Sequence, residues 1–197
     1  MRTHQAFAIV AAVTAGIFAS PQVRAGEETK LNHRSEQRAE NQEQRAEQRQ
    51  ENEAFRKTLK GMTPEQREAA IVAHRQQQHA ENVAFREKQH AENLALLKER
   101  LAASKHLTDA EKAEAISFFE AQYGENVAFR EKRFADAIAF FQKTMEDKSL
   151  THEQRKTLIR DFVEKAKADA KAHRAEQRTE NQAERAKIRS ERKDGTP

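Results

Sequence analysis

The sequence predicts an all-α protein of long antiparallel helices, and three observations lead to this prediction. Between Asn32 and Asp194 the chain contains two glycines and one proline, so residues that break helices are rare. Charged residues make up 35% of the chain, and Ala, Glu, Gln, Lys and Arg are abundant, which is typical of long solvated helices. The sequence also repeats every eleven residues, a period that fits three turns of an α-helix.

Three helix starts share one capping chemistry. In each, a threonine can accept a hydrogen bond from the first free N–H groups, and a Gln or Glu three residues later can reach back to the threonine N–H. The expected pairs are Thr63 with Gln66, Thr108 with Glu111, and Thr151 with Gln154. They predict helices over about 30–59, 64–104, 109–147 and 152–193. The short turns between these helices make neighbours antiparallel.

The repeat is clearest in the second and third helices, as HAENVAFREKQ (79–89), HAENLALLKER (90–100) and YGENVAFREKR (123–133). Its positions are numbered here from one to eleven, beginning at His79. The first, fifth and eighth positions are expected to form the buried stripe, with the seventh as its flank. In the third helix the stripe is Tyr123, Val127, Arg130, Phe134, Ile138 and Phe141, continuing to Met145. The fourth helix adds Leu158, Ile159, Phe162 and Val163 to the expected core.

The first 25 residues have the pattern of a cleavable signal peptide. Arg2 precedes an apolar run at 6–19, and Val23 and Ala25 are small residues before an expected cut that leaves Gly26 as the N-terminus. The expected location is the periplasm. The remaining chain divides into a charged helical arm (26–53), an antiparallel helical core (54–171) and a charged C-terminal arm (172–197). Both arms are expected to be solvated helices.

Charge and cysteine content exclude several classes of function. Removal of residues 1–25 removes two arginines and no acid, which lowers the formal charge from +4 to +2. Because the charges of both signs are interleaved, no nucleic-acid partner is expected. The chain has no cysteine, so disulfides and thiolate metal sites are impossible. Glycine-rich phosphate loops and catalytic motifs are also missing, and the chain is not expected to be an enzyme.

Polar side chains recur with the helical period. Glutamine is followed four residues later by asparagine at Gln78/Asn82, Gln122/Asn126 and Gln177/Asn181. Such pairs either form polar layers that fix the register between helices or only support their own helix. Histidines at stripe and flank positions could meet between helices and ligate a divalent transition metal such as zinc, nickel or copper. The candidate ligands are His33, His79, His90 and His173; the bland alternative is polar substitution in a half-buried stripe.

The three turns resemble a known motif. LTHEQR (150–155), LTDAEK (107–112) and MTPEQR (62–67) are similar to the LTxxQ motif of the Spy/CpxP family of periplasmic helical proteins. Only Leu150–Gln154 matches the motif completely, since Met62 and Glu111 depart from it. The resemblance covers roughly residues 50–170. It implies ATP-independent chaperones linked to envelope stress, which form cradle-shaped homodimers, and relatives that bind or sense metals.

Three functions follow as expectations. The first is a chaperone or stress adaptor that binds unfolded or envelope proteins through exposed aromatic side chains, without stable membrane insertion. Its client-binding residues are expected on the third helix, at Phe118, Phe119, Phe129, Phe140 and Phe141. The second is a metal-binding or metal-sensing protein, and the third is a structural or protective coiled-coil protein. Nine phenylalanines after residue 25 argue against a purely solvated protectant.

Overall fold

The computed structural model describes residues 21–194, except for the side chains of 21–31, 185, 189 and 191–194. Four long helices make up nearly all of this range: α1 (Pro21–Thr58), α2 (Pro64–Ala103), α3 (Asp109–Glu146) and α4 (His152–Asp194). The described range contains no β-strand, so the all-α prediction is confirmed. Most of the expected signal peptide lies outside the described residues.

The helix starts have the predicted chemistry. Thr63 Oγ1 accepts a hydrogen bond from the Gln66 N–H (3.2 Å), and the Thr63 N–H donates to Gln66 Oε1 (3.0 Å). Thr151 and Gln154 form the same pair of bonds, at 3.3 and 2.8 Å. The pair of Thr108 with Glu111 closes in the same way. Each capping box therefore fixes where its helix begins, because it satisfies N–H groups that have no partner inside the helix.

The chain forms two compact units. In the described range, one unit contains 21–105 with 137–145, and within it α1 and α2 form an antiparallel hairpin. The other contains 106–136 with 146–194, where the first part of α3 pairs with α4 in the same antiparallel sense. Gly61 ends the first hairpin's turn at a positive φ of 84°, a conformation that glycine adopts without strain.

The helices bury few apolar side chains. Among the described residues, Leu101 and Ala170 are the buried apolar residues, and no side chain is less than 2% exposed. Four polar residues are also buried: Gln89, Thr144, Gln177 and Asn181. Polar contacts between helices therefore contribute an unusual share of the packing. In the described range, no helix is both long and apolar enough to cross a membrane.

Candidate functional site

The helices of each hairpin meet along one face of the repeat, which is called the seam here. It consists of the fourth, seventh and eleventh positions, whose spacing of three, four and four residues follows one side of a helix with 3.67 residues per turn. Five of the six buried residues occupy the fourth or eleventh position: Gln89, Thr144, Ala170, Gln177 and Asn181. The expected stripe at the first, fifth and eighth positions is therefore not the hairpin contact. Its members on α3 are half-buried.

Three histidines at the seventh position bind the facing helix in the same way. Each imidazole Nε2 lies within hydrogen-bonding distance of an asparagine Oδ1 at the fourth position, and the protonated Nε2 tautomer donates to that oxygen. The pairs are His33 with Asn93 (3.1 Å), His74 with Asn52 (3.1 Å) and His173 with Asn126 (3.3 Å). One polar recognition element therefore occurs in both hairpins.

Two of these histidines also stack on phenylalanine rings. The rings of Phe55 and His74 lie 3.9 Å apart between centroids, with an interplanar angle of 15°. The rings of Phe129 and His173 lie 4.0 Å apart at 14°. Each hairpin thus holds a triad of Asn, Phe and His at equivalent repeat positions. The side chains combine apolar contact with one directed hydrogen bond, which fixes the register between the helices.

The glutamine and asparagine pairs support their own helix and also form polar contacts between helices, the two alternatives that the sequence left open. Within a helix, the Asn Nδ2 at the fourth position donates to the backbone carbonyl of the Gln four residues earlier, as Asn82 does to Gln78. The same bond occurs at Asn41, Asn52, Asn93, Asn126 and Asn181. Across the seam, Asn181 Nδ2 donates to Gln122 Oε1 (3.1 Å), and Asn93 Nδ2 donates to Gln37 Oε1 (3.4 Å). The amides therefore support their own helix and also join it to the next.

The seam amides are incompletely satisfied. Glutamines at the eleventh position, among them Gln37, Gln48, Gln78, Gln122 and Gln177, have a buried Nε2 without a hydrogen-bond partner. A buried amide N–H without a partner destabilises the folded state by about 1–3 kcal/mol. The seam therefore specifies which helices pair and in which register, but each of these amides weakens the pairing.

Ion pairs border the seams on one side. Lys88 Nζ on α2 lies 2.9 Å from Glu40 Oε1 on α1, at the tenth and third repeat positions. Lys187 on α4 pairs with Glu114 on α3 at the same two positions. The hydrogen bond from Lys88 lowers the pKa of the Glu40 carboxyl, and partial burial opposes this shift. The pKa of Lys88 is raised by the same hydrogen bond.

These contacts lie in the segments expected to be solvated arms. His33 and Gln37 of the first arm bond to Asn93 on α2, and Asn181 of the C-terminal arm bonds to α3. These segments contain almost no large apolar side chain, and for that reason the sequence predicts solvated helices there. The pairing instead uses amides and imidazoles, whose signal in the sequence is Asn at the fourth and Gln at the eleventh position of successive repeats.

The candidate metal ligands do not converge. Among the described side chains, no group of three or more His, Asp or Glu residues is placed to hold a metal ion. His33 and His173 bond to Asn93 and Asn126, and they belong to different units. His79 and His90 are half-buried on α2. His33 also lines a shallow groove of about 400 Å³ with Glu36, Glu40, Glu92 and Glu99.

The expected client-binding residues are partly accessible. Phe118, Phe119, Phe129, Phe140 and Phe141 are all half-buried. Phe129 stacks on His173 and has the Arg133 guanidinium 5.6 Å from its ring centroid. The Arg75 guanidinium lies 5.8 Å from the ring centroid of Phe141. Such contacts leave part of each ring accessible to solvent and surround it with charged groups.

Three large apolar residues on α4 are more exposed than expected. Leu158, Ile159 and Val163 are 39%, 43% and 42% exposed, although the sequence placed them in the core. Ile159 occupies the fourth repeat position, where Ala170 and Asn181 of the same helix are buried. The repeat therefore predicts the face of a side chain but not its burial.

No family model, curated protein or solved structure matches this chain.

Proposed function

We propose that this chain is an exported binding protein that holds partly unfolded proteins in solution without ATP. The main observation is that all nine phenylalanines between residues 32 and 190 are half-buried, and none is buried. Phenylalanine is among the residues most often fully buried in soluble proteins. A helical protein that leaves part of every ring accessible has aromatic surface available for a partner.

The surroundings of these rings support transient binding. Guanidinium groups of Arg75, Arg130 and Arg133 lie within 6 Å of the ring centroids of Phe141, Tyr123 and Phe129, respectively. A client's apolar side chains would contact the rings, while the arginines and the surface glutamates stay hydrated. Complementary charge of this kind keeps a complex soluble and adds little to its affinity. The similarity of the three capped turns to the LTxxQ motif supports the same function and a periplasmic location.

The proposal is tested by light scattering of a denatured test protein diluted into buffer, with and without an equimolar amount of the secreted chain. We expect the chain to slow aggregation in the absence of ATP. Phe119→Ser and Phe141→Ser, both at the eighth repeat position and outside the seam, should each remove most of this protection while the helicity measured by circular dichroism is retained. Because apolar contact is only weakly screened by ions, protection should persist at high salt.

The matched control is Ala121→Ser, which changes an exposed position of α3 and removes no aromatic ring. This variant should protect the test protein as well as the unchanged chain does. Equal aggregation with and without the secreted chain would refute the proposal. Loss of protection in the control as well would show that the aromatic rings are not the binding surface.

A further inference from the structure

The first, fifth and eighth repeat positions of α4 form a basic stripe. Its cations are Lys156, Arg160, Lys167, Lys171, Arg174 and Arg178, and all six are exposed. They follow the spacing of the repeat along one face of a continuous helix. The stripe extends over about 33 Å at 1.5 Å per residue. The formal charge of α4 is only +4, because nine acidic residues at other positions offset most of its 13 lysines and arginines.

The acidic residues of the same segment lie off the stripe. They occupy the third, sixth, seventh, ninth and tenth repeat positions: Glu153, Asp161, Glu164, Asp169, Glu176, Glu180 and Glu184. Lys156 pairs with Glu153 at 3.7 Å and Lys167 with Glu164 at 2.7 Å, and both pairs lie within one helix. All four of these side chains are more than 60% exposed. Exposed ion pairs of this kind contribute little stability, so an anionic surface can compete for the lysines.

Apolar side chains extend the stripe at its N-terminal end. Val163 occupies the eighth position within the stripe and is 42% exposed, and Ile159 beside it is 43% exposed. Cations next to exposed aliphatic side chains are typical of helices that lie in a membrane interface, where phosphates meet acyl chains. Nucleic acid offers phosphates but no aliphatic phase, and the stripe contains no aromatic side chain on which a base could stack.

We infer that this face of α4 docks the protein on the surface of an anionic phospholipid bilayer. The lysines and arginines contact the lipid phosphates, while Ile159 and Val163 enter the boundary between headgroups and acyl chains. Each Lys or Arg near an anionic surface adds to the attraction, and the attraction decays within a Debye length. The inference is independent of the proposed client binding, which uses the aromatic rings of α3.

The chain contains its own control surface. The same repeat positions of α1 carry Arg34, Arg38, Arg45, Arg49 and Arg56, together with Gln42 and Glu53. Between residues 32 and 58, these positions include no large apolar side chain. A charge reversal on α1 therefore changes the net charge as much as a reversal on α4 and leaves the mixed basic and apolar surface intact.

The test is flotation of the full secreted protein with vesicles of phosphatidylcholine alone or with added phosphatidylglycerol. We expect binding to the anionic vesicles only. Lys167→Glu with Lys171→Glu should weaken this binding about tenfold or more. Arg38→Glu with Arg49→Glu should change it less than about threefold. Val163→Ser should make the remaining binding more sensitive to salt, because the apolar contribution is lost.

Circular dichroism of each variant shows whether α4 remains helical, so loss of binding is attributed to the surface and not to unfolding. Equal binding to neutral and anionic vesicles would overturn the inference. Equal losses in the α1 and α4 double variants would also overturn it, since net charge alone would then explain binding. An affinity for duplex DNA as high as that for anionic vesicles would identify the stripe as a general polyanion surface and reject the bilayer assignment.

Discussion

All four helices share one repeat, but its first, fifth and eighth positions differ between two groups of helices. The first group is the middle pair, α2 and α3, and the second is the outer pair in the chain, α1 and α4. All four pair through polar side chains of the seam at the fourth, seventh and eleventh positions, which on α3 also carries the rings of Phe118, Phe129 and Phe140 at the seventh position. At the first, fifth and eighth positions, α2 and α3 have mostly apolar residues such as Val83, Leu94, Val127 and Ile138, whereas α1 and α4 have mostly arginine and lysine. The seam thus determines which faces meet within a hairpin. The remaining stripe determines whether a helix has a second apolar face.

This difference predicts where stability is concentrated, and the largest effect is expected at the first repeat position. Leu101 on α2 is 7% exposed, and Leu101→Ala should lower the free energy of unfolding by about 2–3 kcal/mol, because it removes buried methyl groups and leaves a cavity. Arg49 is the exposed counterpart on α1. Arg49→Ala should change stability by less than about 0.5 kcal/mol. Urea unfolding followed by circular dichroism measures both.

A comparable loss in the two variants would mean that the stripe of α1 is packed as closely as that of α2, and the contrast between the helices would fail. A small loss in both would mean that the apolar stripe of α2 contributes little to stability, and that the polar seam holds the hairpin.

The second prediction tests the cost of the polar seam. Gln177 is 9% exposed and its Nε2 has no hydrogen-bond partner. Gln177→Leu replaces this amide with an apolar group of similar size, and it should raise the free energy of unfolding by about 1 kcal/mol. The control is Gln182→Leu, at an exposed position of the same helix, which should be nearly neutral. Destabilisation by Gln177→Leu would show that the amide has a partner or fixes the register.

The smallest effect is expected at the ion pair beside the first seam. The pKa of Glu40 is lowered from its usual 4.5 by the hydrogen bond from Lys88. A lowered pKa in the folded state means that the carboxylate stabilises the fold above the unfolded pKa, and that this contribution is lost as the pH falls through the folded pKa. Lys88→Gln should therefore lower the urea midpoint slightly at pH 6 and not at all near pH 2.

The same variant should return the pKa of Glu40, followed by carboxyl NMR, towards its usual value. The effect on stability is small because the side chains of Lys88 and Glu40 are 56% and 33% exposed, and solvent screens the pair. A midpoint difference that persists at acidic pH would show that Lys88 acts through packing of its aliphatic stem and not through Glu40.

Local features were predictable because local chemistry dictates them. Thr63, Thr108 and Thr151 begin helices because their side chains satisfy the first free N–H groups, and the helix ends follow the predicted bounds within one or two residues from Thr58 onward. The scarcity of glycine and proline, the eleven-residue period and the short turns were sufficient for antiparallel helices. The caps depend on residues three positions apart and the period on residues eleven positions apart, so neither requires contacts between distant parts of the chain.

The choice of seam required the tertiary structure. An amphipathic repeat shows which side chains share a face, but it does not show which face meets a neighbour, and the apolar stripe of α3 was the stronger signal. Only the pairing of the helices shows that His173 stacks on Phe129 and that Asn181 bonds to Gln122. The exposure of Ile159 was likewise unpredictable, because it depends on the size and distance of the side chains on the facing helix. The sequence by itself determined the helices and their period, whereas the packing of distant residues decided which face of each helix is covered.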